Sequence, residues 1–487
     1  MSRLVVVSNR VALPRETRAG GLASAMQAAL AERGGLWFGW SGRTVPENER
    51  ALRTESDGPI DYALLDLTRT EYEQYYLGFS NRTLWPLLHF RPSLLEYRRA
   101  QYAGYREVNR LFASHLARLL RPDDVVWVHD YHLIPLAAAL RALGVSQRIG
   151  FFLHIPLPPP ALLATLPHHE QLFSTLGAYD LVGLQGRRDR DALVAYFREE
   201  MGATATDEGD VRLPDGRRFR ARAFPIGIDT AQVAAQARKS AGSAATQRLV
   251  KSLEGRQLAI GVDRLDYSKG LPQRFEAFAH FLSGHPEWRS RISFLQIAPP
   301  SREDVPEYRE LRSRLERVAG ATNGRYAEPD WVPIRYVNRS FSQATLAGFY
   351  RVAHIGLVTP LRDGMNLVAK EFIAAQPPED PGVLILSSFA GAAEELLESI
   401  IINPLDVDDI AESLEQALDM TKAERRRRWE AMFERISRND IGAWRRAFLD
   451  ALLGVPVSQA KKGRAGNPAR PLEGGAPEGA PKSPRRR

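Results

Sequence analysis

The chain has 487 residues, 44% hydrophobic and 25% charged, a globular composition too long for one core, since single cores stop growing at roughly 250–300 residues; two domains of similar size are expected. No apolar run approaches the roughly 18–20 residues of a membrane-crossing helix, and the absence of cysteine excludes disulfides and thiolate metal sites. The net charge of +8 is concentrated at one end: eight of the 66 basic residues but only two of the 58 acidic ones fall in 459–487, leaving 58 and 56 elsewhere, so the body is near neutral and nucleic-acid binding is not expected of it.

In chain order, the sequence enters a strand at once, Leu4–Ser8, with no leader-like apolar region before it, and a cytoplasmic location is expected. Gly20-Gly21 follow, then a helical run, Ala23–Leu30. Segments Glu96–Leu120 and Leu133–Leu143 carry helical spacing. Val125–His129, Ile149–His154 and Leu181–Gln185 are short, nearly continuous apolar strands, the pattern of a parallel sheet buried on both faces. A charged stretch, Asp207–Arg222, reads as a hairpin, and Pro225-Ile-Gly-Ile-Asp229 punctuates the chain. The second half repeats the theme, with strands Leu258–Val262, Ile292–Ala298, Ile355–Thr359 and Val383–Ser387, and helices such as Gln273–Leu282 and Asp408–Met420. One helical stretch, Trp429–Leu453, follows. Alternating strand and helix predicts two doubly wound α/β domains, 1–226 and 227–440, a closing helix over 441–456 that returns to the first domain, and a solvated, disordered basic extension over 457–487. Ligands of such sheets sit beyond the carboxyl ends of the strands, which places a site in the cleft between the domains.

Candidate residues cluster at those strand ends. Gly20 and Gly21 precede a helix, where bare backbone N–H groups can approach an anion, although a plain flexible loop fits them as well. Arg264 and Lys269 follow Leu258–Val262. Two cations at that spacing can offset a diphosphate, one as a fork and one as a point charge; they also suit an exposed pair. Asp363-Gly364 make a turn and Asn366 opens a helix whose first N–H groups, on Leu367, Val368 and Ala369, are expected to be free for phosphate. Asp363 is placed for sugar hydroxyls and Glu371 for ribose hydroxyls, with a helix cap and a solvated residue as the alternatives. His129, Asp130 and His132 do not make a metal cluster, because His129 and Asp130 point to opposite faces of a strand. No metal and no organic cofactor is expected.

Several of these segments, Ser8-Asn9-Arg10, Gly20-Gly21-Leu22, Leu36–Gly42, Val128–Leu133, Gly150–Pro156, Asp263–Gly270 and Thr359–Glu371, together resemble the trehalose-6-phosphate synthases, in family order and from about Ser2 to Leu453. The resemblance implies the GT-B fold of retaining glycosyltransferases, with two Rossmann-like domains and an interdomain catalytic cleft. It implies transfer of glucose from UDP-glucose or another nucleotide-glucose to glucose 6-phosphate, giving α,α-trehalose 6-phosphate. It assigns Gly20, Gly21, Arg264, Lys269, Phe341, Asp363, Asn366, Leu367, Val368, Ala369, Lys370 and Glu371 to the donor, Phe341 through its backbone. It assigns Arg10, Tyr76, Trp85, Asp130 and Arg302 to the acceptor. Asp130, His154, Arg264 and Lys269 are the expected catalytic residues, His154 as a hydrogen-bonding partner of a sugar hydroxyl. The expected partners are these small molecules and further copies of the chain, as a dimer or tetramer, without membrane. A sibling transferase such as a glucosylglycerol-phosphate synthase, a non-catalytic sugar-phosphate sensor on the same scaffold and the identity of the donor base stay open.

Overall fold

Sixteen strands occur among the described residues, most of them buried, β-branched and aromatic runs too short for helices. The computed structural model describes 2–13, 21–300 and 306–454; Gly20, Arg302 and the 457–487 extension lie outside them. The first ten strands are β1 (Leu4–Arg10), β2 (Gly35–Val45), β3 (Leu52–Asp57), β4 (Ile60–Thr68), β5 (Val125–His129), β6 (Arg148–Phe152), β7 (Leu181–Leu184), β8 (Thr204–Ala205), β9 (Asp210–Arg212) and β10 (Arg218–Ala223). They form one sheet in the order β3-β4-β2-β1-β5-β6-β7-β10-β9-β8. Its seven central strands are parallel, and the Asp207–Arg222 region forms the antiparallel β9–β10 hairpin at one edge. The next six are β11 (Gln257–Val262), β12 (Ile292–Ile297), β13 (Ile334–Val337), β14 (Ile355–Val358), β15 (Val383–Ser387) and β16 (Ile400–Ile402), all parallel in the order β13-β12-β11-β14-β15-β16.

These are the two doubly wound domains that the alternation predicts. Both sheets change winding direction at their first strand: β1 lies between β2 and β5, and β11 between β12 and β14. In such sheets the crevice at that switch is where ligands bind. The chain crosses between domains twice, at 224–229 and at 439–441. Ile441 N donates to Ile228 O at 3.1 Å, which stitches the two crossings together.

The helical stretch read over Trp429–Leu453 comprises the end of one helix, Lys422–Arg438, and a second, Ile441–Leu453. Asp440 ends the run: its carboxylate accepts from Ala443 N at 2.7 Å and caps a new helix, the usual use of an aspartate at that place. The second helix lies on the first sheet. Phe448, fully buried, stacks on Trp127 with ring centres 4.6 Å apart and occupies space that side chains at Gly150 and Gly183 would fill. Burial of one such ring stabilises by roughly 1.5–3 kcal/mol, so the closing helix is held firmly to the domain opposite the one it follows.

Candidate active site

The walls of the interdomain cleft begin where the central strands stop. On the first domain, Asn9 and Arg10 end β1 and Asp130 follows β5. Asn9 Oδ1 accepts the Tyr75 hydroxyl at 2.9 Å. Asp130 has φ of 76°, a conformation uncommon for a residue with a Cβ. It is fixed by its N–H donating to Phe152 O at 2.8 Å and by a carboxylate oxygen accepting from His154 N at 3.3 Å. His129, which precedes it, is buried. His129 Nδ1 and His154 Nε2 are 3.0 Å apart, one donating to the other. Burial pushes the His154 imidazole down to about 3 and His129 down as well, so both are neutral at working pH and His154 presents a neutral hydrogen-bonding group.

Tyr76 stands on an irregular π-type helix, Tyr72–Leu84, which lets it stack on His132 at 5.8 Å and Tyr72 at 5.5 Å. Trp85 begins the next turn, 5% exposed, packed on Tyr131. The Arg264 guanidinium reaches across from the second domain to 5.9 Å from the Trp85 ring centre, within cation–π range. Arg362 crosses similarly onto Phe90, at 3.9 Å. Gly364 comes so close to His154 that an added Cβ would sit 2.3 Å from its carbonyl oxygen. Only a glycine permits that approach of the two loops.

On the second domain, Lys269 follows β11 and its Nζ pairs with the Asp363 carboxylate, which also accepts from Asn366 Nδ2 at 3.0 Å. Burial acts to lower the Lys269 ammonium, but Asp363 and Asp263 outweigh it and hold it charged. The turn into the following helix uses Gly270 at φ +63°, where a Cβ would collide with Thr359 O. Helix Leu367–Ala375 starts at Asn366, itself at φ 73°. Here one expectation is corrected: Ala369 N–H is not free, because Asn366 Oδ1 caps it at 3.3 Å. Leu367 and Val368 keep their first-turn N–H groups, which no carbonyl of the helix can reach.

Lys370 is also corrected as a donor-binding side chain. It is fully buried, its Nζ donates to Ile226 O at 2.8 Å and it pairs with Glu395, so its ammonium serves the crossing between domains. Glu371, one residue on, lines a cavity of about 210 Å³ with Tyr350, Leu367 and Gln343. Burial pushes its carboxyl up to about 7. The Phe341 ring packs on Phe349 at 5.4 Å.

Sequence reading missed Arg274. It is fully buried beneath Lys269, donating to Thr359 Oγ1 at 3.0 Å and Gln296 Oε1 at 2.8 Å and paired with Asp263 at 2.9 Å. A signal was present: Arg274 lies in the stripe Leu271, Arg274, Phe275, Phe278, whose helical spacing marks a core-facing side. An arginine there must be paired inside. The junction thus brings two cations and first-turn amide groups of the second domain near polar and aromatic residues of the first. Fixed cations beside a helix start are groups that suit an anion.

Comparison with known proteins agrees with this geometry. The family model for glycosyltransferase family 20 matches residues 4–453. The chain is 50% identical over 457 residues to a trehalose-6-phosphate synthase of Sinorhizobium fredii (strain NBRC 101917 / NGR234), spanning 93% of this chain and 98% of that protein. A UDP-forming α,α-trehalose-phosphate synthase from Burkholderia xenovorans, solved in complex with glucose-6-phosphate, superposes with TM-score 0.90 at 47% identity, over 93% of this chain and 100% of that one. A structure from E. coli bound with UDP-2-fluoro glucose superposes with TM-score 0.88 at 44% identity, over 93% and 99%.

Proposed function

The chain belongs to glycosyltransferase family 20, and from that premise we propose that it transfers glucose from UDP-glucose to glucose 6-phosphate with retention, giving α,α-trehalose 6-phosphate and UDP. The observation that carries the reading is the convergence of Arg264, Lys269 and the open Leu367 and Val368 amides beside the junction with Asp130, Tyr76 and His154.

In this reading Arg264, Lys269 and the start of helix Leu367–Ala375 offset the charge of the departing diphosphate, and the resemblance adds Gly20 and Gly21 to them. Charge stabilisation of this kind is often the largest single contribution to catalysis. Asp363 and His154 hold hydroxyls of the transferred glucose, Glu371 the ribose, and the Phe341 backbone the base. Arg10 and Arg302 take the acceptor phosphate; Tyr76, Trp85 and Asp130 take its ring. No membrane-crossing helix occurs among the described residues; the reading includes a cytoplasmic, homo-oligomeric enzyme.

A two-carboxylate route to retention needs a nucleophile and an acid about 5–5.5 Å apart. Asp363 is held by Lys269 and Asn366, and Asp130 by the His154 backbone, so neither stands ready as nucleophile. The reading is therefore front-face transfer. The bond from C1 to the phosphate oxygen breaks, with its electron pair leaving on UDP. The acceptor hydroxyl forms the new bond on the same face and passes its proton to the leaving oxygen. The test is a panel of UDP-, ADP- and GDP-glucose, each with glucose 6-phosphate or glycerol 3-phosphate. Trehalose 6-phosphate from UDP-glucose is the expected product; turnover only with glycerol 3-phosphate, or none with any pair, would overturn the reading.

A further inference from the structure

At the opposite end of the first sheet, where β6, β7 and β10 begin, the hairpin β9–β10 walls a cavity of about 890 Å³. Its lining carries Arg148, Arg212, Arg218 and Arg220 against Asp180 and Asp210. Both acids are already engaged from outside the lining: Asp180 pairs with Arg141 at 3.0 Å and accepts Ile149 N at 2.7 Å, and Asp210 pairs with Arg222 at 2.7 Å. None of the four lining arginines is ion-paired among the described residues.

Two of them are placed at a cost. Arg212 and Arg218 are direct partners in the antiparallel β9–β10 ladder, and like charges directly opposite destabilise a sheet. Arg220 is half-buried beside them, opposite Asp210 in the ladder; burial and the charges of Arg222 and Arg148 disfavour its protonated form, and Asp210 and Asp180 offset this only in part. An anion in the cavity relieves all of these conflicts at once. Arginine forks match phosphate oxygens in pairs, and four of them around one concavity suit several phosphate groups in a row better than a single carboxylate.

We propose that this cavity is a second anion site, separate from the catalytic cleft, that binds a small molecule carrying a chain of phosphate groups. Its walls connect to the first crossing between domains and to the far end of the closing helix. Strand β10 runs directly into 224–229, and Arg148 Nη1 donates to Leu452 O at 2.9 Å, at the end of the closing helix. Occupancy therefore bears on the two elements that hold the domains together.

The test is calorimetric titration of the full-length protein, kept saturated with UDP so that the cleft is filled. Inorganic tripolyphosphate and ATP are the two titrants; binding of both assigns recognition to the phosphate chain, and binding of ATP alone to a nucleotide. The exposed pair Arg212→Gln/Arg218→Gln should weaken binding at least tenfold without lowering turnover, and Arg220→Gln should weaken it separately, while Arg264→Ala in the cleft leaves it unchanged. Absence of binding to the UDP-saturated wild type at millimolar titrant, or equal affinity in the arginine variants, overturns the proposal.

Discussion

Two buried lysine–carboxylate pairs serve different ends in this molecule. Lys269–Asp363 lies at the cleft, its side chains 13% and 14% exposed; Lys370–Glu395 lies at the crossing between domains, at 0% and 9%. Burial lowers the Lys370 ammonium, with Glu395 opposing, whereas the carboxylates around Lys269 raise it despite burial. The first pair keeps an opening through which a ligand can take over part of the lysine's charge. The second is sealed, with Ile226 O on one side and Asn439 Nδ2 donating to Glu395 at 3.1 Å on the other. The same chemistry is thus a binding device where water and ligand reach it and a bolt where they do not.

The largest effect that sharpens this contrast is expected from Lys370→Ala. Removing one partner of a sealed pair costs about 3–5 kcal/mol, read as a lowered urea midpoint. Lys370→Met/Glu395→Gln, which leaves no buried charge unpaired, should recover most of it. Lys269→Ala should lower stability less than Lys370→Ala; an equal loss would erase the distinction.

Next comes Asn366→Ala, which removes the cap of Ala369 and forces a Cβ-bearing residue without a local hydrogen bond into φ 73°. Together these cost about 2 kcal/mol and should raise the donor KM. Asn366→Gly, free of the backbone penalty, should cost much less.

A smaller effect is expected from Glu371. Its folded carboxyl titrates at about 7, above its ordinary 4.5. Its contribution to stability is therefore complete below about 4.5 and lost as pH rises through 7. Between pH 5 and 8, wild type should lose more stability than Glu371→Gln in chemical denaturation. Ribose hydroxyls donate best to the ionised form, so UDP affinity should rise across the same window in wild type and stay flat in the variant.

Much of this fold was legible because parallel strands buried on both faces are continuous apolar runs. Val125–His129 and Val383–Ser387 match their observed bounds. The strands over 35–68 were not read as strands, since glycines and polar residues interrupt β2 and the outer pair β3–β4 alternates with charge. The break at Asn439–Asp440 is set both by the local Asp440 cap and by tertiary bonding of Ile441 to Ile228. In the site, motif residues at strand ends were visible; what was hidden depended on three-dimensional partners. Lys370 sat in a binding motif yet turns to the interdomain crossing, and Arg274, not singled out in the sequence, braces Lys269 from beneath.

The most direct test of the account is turnover of UDP-glucose and glucose 6-phosphate by wild type and by Arg264→Ala/Lys269→Ala, each in EDTA. If fixed cations and helix amides carry the departing diphosphate, wild type keeps its rate in chelator and the double variant, still folded, falls by at least about 10²–10³-fold. A double variant that turns over near the wild-type rate, or a wild type silenced by the chelator, contradicts it.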